Sequence, residues 1–138
     1  MEKQAIIQPA IRLLDFIVTK VDLNIENPNY DQEVEKLKIS IGSGLGFSET
    51  DKKVFSVGFE VDVENDESSL KIHIKATAFF ESKDDLNEED KHSPLLKANA
   101  PAIAFPFVRS FINTLTTNAG LSSIILPTFK FINSDKEK

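Results

Sequence analysis

"VFSVGFEVDVENDESSLKIHIKATAFF", Val54 to Phe80, decides the fold. Its first half places Phe55, Val57, Phe59, Val61 and Val63 at every second position, with Glu60, Asp62 and Glu64 between them. Its second half repeats the pattern, with Leu70, Ile72, Ile74, Ala76 and Ala78 set against Lys71, His73, Lys75 and Thr77. A period of two sends alternate side chains to opposite faces of a strand. "NDESS" between the halves is turn chemistry, so the segment predicts an antiparallel hairpin with one apolar and one wet face. On the wet face, acids dominate the first strand and bases the second, a complementary cross-strand arrangement.

Working outward, "KLKISIGSGLGF" (36–47) puts Leu37, Ile39 and Ile41 on one face. Further upstream, "IRLLDFIVTKVDLNIE" (11–26) alternates from Ile17, with Ile17, Val21, Leu23 and Ile25 set against Lys20, Asp22, Asn24 and Glu26. Between these two, "NPNYDQEVE" reads as a loop opened by Asn-Pro. Short links between strands predict a four-stranded antiparallel meander.

Downstream of Phe80 the pattern changes. "ESKDDLNEEDKHSP" (81–94) is a polar, mostly acidic connection with room for a helical turn. "NAPAIAFPFVRSFINTLTTNAG" (99–120) then spaces Ile103, Phe107, Phe111 and Leu115 four apart, as on one helical face. Phe105, Val108 and Ile112 form a neighbouring stripe. Pro101 suits a first turn, Pro106 must kink the helix or delay its start, and Asn118 to Gly120 is a stop signal. The helix is apolar on several sides, and Arg109 is its one strong charge. One side can cover the sheet; the other predicts burial against a second subunit. "LSSIILPTFKFIN" follows as an extended apolar segment, and "SDKEK" is a solvated tail. The organisation is one domain, 1–133, with a charged tail, 134–138.

Composition excludes several classes. Of 138 residues, 41% are hydrophobic and 28% charged, which marks a globular chain rather than a disordered one. The formal charge of -6 lacks the basic stripe that nucleic acid requires. With no cysteine there is no thiol nucleophile or thiolate metal site, which fits a reducing, cytoplasmic setting. The N-terminus has no apolar signal core, and no run approaches a spanning helix, so no membrane insertion is expected.

The chemistry of catalysis is sparse. "GSGLGF" (42–47) fails the phosphate-loop fingerprint at Phe47, and its glycines predict a bent strand or bulge. His73 and His92 have no ligand-spaced neighbours and read as solvated side chains. "DVENDESS" (62–69) lacks the glycine and terminal acid of a calcium loop. No nucleophile–base pair stands out. The chain reads as a binding protein, without enzymatic activity, metal or other cofactor.

The stretch from Asn99 to Phe131 resembles the SecB export-chaperone family. That family carries a Pro-x-Ile-x-Phe-Pro-aromatic-x-Arg element, matched here by Pro101, Ile103, Phe105, Pro106, Phe107 and Arg109. A glycine and an L-x-P-x-x-F segment follow in the family, matched by Gly120, Leu126, Pro127 and Phe129. "TKVDLNIENPN", Thr19 to Asn29, is similar to the family's first strand. The resemblance implies an α+β fold, a four-stranded antiparallel sheet with a long C-terminal helix. It also implies a homotetramer, a dimer of dimers, that binds unfolded or export-bound polypeptides without ATP and passes them to the SecA motor.

The surplus apolar surface of the helix would then serve subunit contact and one wall of a client groove. Candidate groove residues are Phe47, Phe105, Phe107, Ile124, Leu126 and Phe129. Asp22 and Glu26 occupy the places of two acids at the family's SecA-facing surface, while a third acidic place falls on His73. Other members of the family protect the antitoxin of a toxin–antitoxin pair, which is the alternative role. A domain for a small apolar ligand is a third reading, and it requires a closed pocket.

Overall fold

The computed structural model describes residues 10–27, 37–65, 69–121, 124 and 126–127. Four strands form one antiparallel sheet: β1 (Ile11–Ile25), β2 (Leu37–Phe47), β3 (Val54–Asn65) and β4 (Leu70–Ser82). A 3-10 turn at Asp90–His92 and a π-helical turn at Leu95–Asn99 lead into α1 (Ala100–Asn118). The predicted helical turn in the polar connection is therefore present. The π turn at its end had no sequence signal.

The central hairpin holds as read. Phe55, Val57, Phe59, Val61 and Val63 of β3 are all buried, as are Leu70, Ile72, Ile74, Ala76, Ala78 and Phe80 of β4. Asn65 closes the turn: its Nδ2 donates to Ser69 Oγ (2.7 Å), and the Leu70 N–H donates to Asn65 Oδ1 (3.2 Å). On the outer face Glu60 lies opposite Lys75, Asp62 opposite His73 and Glu64 opposite Lys71.

Strand order corrects the simple meander. β2, β3 and β4 follow one another, but β1 lies beside β4, giving the order β1-β4-β3-β2. Three hairpin-linked strands with the remaining one returned beside the far strand is a Greek-key arrangement. The β1–β2 connection, with most of "NPNYDQEVE", lies outside the described residues.

The alternation of β1 is also corrected. Its register against β4 shifts between Leu13 and Asp15 and again between Val18 and Lys20. Each extra residue moves the following side chains to the other face. Leu13, Phe16 and Val18 thus pack on the core, whereas Ile17 faces outward, opposite Thr77. Beyond the second shift, Leu23 and Ile25 return to the core. Val21 keeps the core-side register opposite Ile74 but stays 44% exposed. Of the bent strand or bulge predicted at the glycines of β2, the bulge is not there. β2 pairs with β3 without a break from Leu37 to Phe47. Gly46 answers a different need, since a Cβ there would come 2.7 Å from Ser56 Oγ.

α1 begins at Ala100 and continues through Pro106, so the proline does not delay its start. Pro101 lies in the first turn. The buried face is Ala104, Phe105, Val108, Ile112 and Thr116, which is the second of the two predicted stripes. The first stripe is uncovered at its N-terminal half, with Ile103 44% and Phe107 47% exposed. Gly120 ends the helix in a left-handed conformation (φ 85°). The Leu121 N–H donates to Thr116 O (3.0 Å) and the Gly120 N–H to Thr117 O (3.1 Å), the paired bonds of a Schellman cap. The segment after the cap folds back onto the helix. Thr116 Oγ1 donates to Ile112 O (2.9 Å) and accepts the Ile124 N–H (3.1 Å), satisfying a fully buried hydroxyl.

Candidate functional site

The candidate groove residues separate by depth. Phe105 is 3% exposed, near Phe59 with ring centroids 6.4 Å apart. Ile124 and Leu126 are likewise in the core. Within the single chain these three are almost wholly withdrawn from solvent. Phe47 and Phe107 do reach the surface. Phe107 lies on α1 against Phe16 of β1, ring centroids 5.7 Å apart. Phe47 ends β2, 6.5 Å from the Phe55 ring, and Lys91 Nζ sits 5.1 Å above its face. Phe129 lies outside the described residues.

Phe47 stands between two open grooves. One, of about 870 Å³, runs past Ser48, Val54 and Leu86 toward Glu49, Lys52 and Asp85. The other, of about 460 Å³, runs along Ser43, Gly44 and Leu45 of β2 to Pro101 at the start of α1. Lys91 and Glu88 border both, and they form an ion pair at 3.1 Å. The position follows from the fold. β2 is an edge strand, so the apolar face it shares with β3 is only half covered, and Ile39, Ile41, Leu45 and Phe47 pack at the rim of the core. Neither groove is the closed pocket that a buried small apolar ligand needs.

The second predicted surface lies on the outer face of the sheet. Asp22 is exposed, 3.5 Å from Lys20 Nζ, and pairs in register with His73. Glu26 is exposed just past the end of β1, where its N–H donates to Ser69 O (2.8 Å). His73 is not the partnerless side chain the sequence suggested. Its Nδ1 lies 2.6 Å from Asp62 Oδ1 and its Nε2 3.6 Å from Glu60 Oε1. One ligand atom from each of the three falls within 4.8 Å of the others. The signal for this was the register, because alternate acids on β3 must face alternate bases on β4. The group is a partly exposed polar cluster centred on the His73–Asp62 hydrogen bond. Among the described residues it has no hydroxyl or amine nucleophile in hydrogen-bonding contact with the histidine.

Arg109 is the remaining predicted polar feature. It borders an open pocket of about 390 Å³ with Pro106, Ser110, Asn113 and Leu126. Its Nε is shielded from solvent and meets no acceptor among the described residues.

The family model for SecB, described as preprotein translocase subunit SecB, matches residues 7–134. The chain belongs to the SecB family. Among solved structures, it is similar to a SecB-like chaperone of Mycobacterium tuberculosis, in complex with a ChAD peptide from the HigA1 antitoxin. That match has a TM-score of 0.67 at 12% identity and covers 88% of each chain. It also resembles a protein of unknown function from Streptococcus agalactiae (TM-score 0.55, 15% identity, 85% of this chain and 96% of that one). By sequence it is 24% identical over 123 residues to an uncharacterized protein of Methanocaldococcus jannaschii, covering 86% of this chain and 77% of that protein. The SecB fold is thus the four-stranded antiparallel sheet and C-terminal helix described above. Among the described residues no helix is long and apolar enough to cross a membrane.

Proposed function

We propose that this SecB-family chain is an ATP-independent chaperone that captures extended, apolar segments of unfolded polypeptides, acting as a cytoplasmic homotetramer. The observation that carries the reading is the half-covered apolar rim at Phe47, opening into two grooves on a chain whose family membership is shown. An unfolded chain exposes aromatic and aliphatic side chains that a folded one hides. Fully burying each contributes about 1.5–3 kcal/mol. Two or three, less the cost of ordering the segment, correspond to roughly micromolar affinity per site. Several sites on one oligomer would add avidity along a single client.

Phe47 is the proposed client contact, and Phe107 the proposed contact between subunits or with client. Asp22 and Glu26 are proposed to meet a basic partner surface of the SecA type. The pairing of Asp22 with Lys20 already compensates part of that charge. A second reading, protection of one antitoxin, is favoured by the Mycobacterium tuberculosis relative, which is bound to an antitoxin peptide.

The test is titration of the wild type and Phe47→Ser with a permanently unfolded, reduced and alkylated protein. The variant is expected to bind more weakly while its mass in solution is unchanged. Equal binding by both removes Phe47 from the site. Titration of SecA with Asp22→Lys/Glu26→Lys examines the second surface, where loss of a wild-type interaction is expected and should be mimicked by added salt.

A further inference from the structure

On the outer face of the sheet, His73 of β4 stands in register between Asp22 of β1 and Asp62 of β3. Glu60 lies two residues before Asp62 and therefore shares that face. β3 and β4 pair without a break along this stretch, so the side chains project from regular strands, which hold a site more firmly than loops do.

The two ring nitrogens of His73 have different surroundings. Nδ1 lies 2.6 Å from Asp62 Oδ1, a short hydrogen bond. An ionised carboxylate only accepts, so Nδ1 carries the proton, and in the neutral ring Nε2 presents a lone pair. Nε2 is 3.6 Å from Glu60 Oε1, too far for a hydrogen bond. That gap is close to the spacing of two donors on one metal ion: atoms held about 2.0–2.1 Å from a tetrahedral zinc stand about 3.4 Å apart. Glu60 is not committed to a lysine. Lys75 is its register partner on β4, yet among the described residues the side chain within ion-pair distance of Glu60 is His73. The contact with Asp62 is of the kind that metal-binding histidines make. Their other ring N–H donates to a carboxylate, which fixes the tautomer and makes the binding nitrogen more basic.

We infer that His73 Nε2 and the Glu60 carboxylate bind a divalent transition-metal ion on the outer face of the sheet. Asp62 is the positioning residue, and water completes the coordination. Imidazole with carboxylate suits zinc, nickel or copper rather than magnesium or calcium, which prefer oxygen alone. Two protein ligands make a reversible site with open positions. It lies apart from the grooves at the β2 rim, so its failure leaves the chaperone reading intact.

The experiment titrates the full-length protein, free of any affinity tag, with zinc chloride in a calorimeter. One equivalent per chain is expected, undisturbed by excess magnesium or calcium. His73→Ala and Glu60→Gln should each weaken zinc binding by about tenfold or more, and Asp62→Asn by about tenfold. His92→Ala should bind as the wild type does. His73→Gln, which keeps a polar partner for Asp62 but no imidazole, replaces the alanine variant should that one unfold. Nitrogen-15 spectra of the histidine rings should show His73 Nε2 shifting on addition of zinc while Nδ1 keeps its proton. Absence of saturable zinc binding overturns the site. Full binding by the His73 or Glu60 variants, or an equal loss in His92→Ala, overturns it as well. Wild-type affinity in Asp62→Asn, or a shift at Nδ1 instead of Nε2, overturns the role given to Asp62.

Discussion

Two phenylalanines two positions apart on α1 have opposite surroundings. Phe105 is buried by Phe59 and the sheet, whereas Phe107 leans on Phe16 with almost half its surface in solvent. The sequence motif names both and cannot tell them apart, because a helix that is apolar on several sides does not declare which face meets its own sheet. Substitution separates them. Phe105→Ala should destabilise the chain by about 3–5 kcal/mol through lost burial and a residual cavity. Phe107→Ser should cost about 1 kcal/mol, since only part of its ring surface is withdrawn from water. Urea unfolding of the two variants at equal concentration checks the order, and comparable losses would mean that Phe107 is as deeply packed as Phe105. His73 teaches a related lesson. Its partners Asp62 and Glu60 are remote in sequence, and only the β3–β4 register brings them to its ring.

At the scale of elements, the hairpin from Val54 to Leu70 onward was legible because β3 and β4 are regular and fully covered, so every second residue is apolar. β1 was legible as a strand but not in its facing. A register shift adds one residue without any composition signal, and Ile17, in the segment between two of them, is turned outward. The glycines of β2 invited a bulge, yet that strand is the regular one. The groove was only partly legible: Phe47 could be named, but its neighbours Lys91 and Pro101 come from the 3-10 turn and from the start of α1 after the π turn, which had no sequence signal. The end of α1 was legible from Gly120, and its geometry gives a direct check. At φ 85° any side chain is strained, so Gly120→Ala should lower stability by about 1–2 kcal/mol. Thermal unfolding followed by circular dichroism would show it as a lower midpoint. An unchanged midpoint would mean that this cap does not persist in solution.

For the whole molecule, the unspent apolar surface is the organising fact. Ile103 and Phe107 on α1, Leu14, Ile17 and Val21 on β1, and Phe79 on β4 remain exposed in one chain. Surface of this kind on neighbouring elements marks contact with other chains. The proposed arrangement gives α1 and β1 to subunit contact and the β2 rim to clients. Light scattering on a sized column should return a homotetramer at micromolar concentration, with a dimer as the smallest stable species. A persistent monomer would contradict the assignment of the α1 surface.

The central claim is that the chain captures unfolded polypeptides unaided by nucleotide. Its most direct test is turbidity as several unrelated proteins are diluted from urea, with and without an equimolar amount of this protein and no ATP. The account predicts slower or abolished aggregation for each of them, with the effect reduced by Phe47→Ser. Aggregation proceeding unchanged for every one of them would contradict general capture, even with the wild-type protein folded and oligomeric.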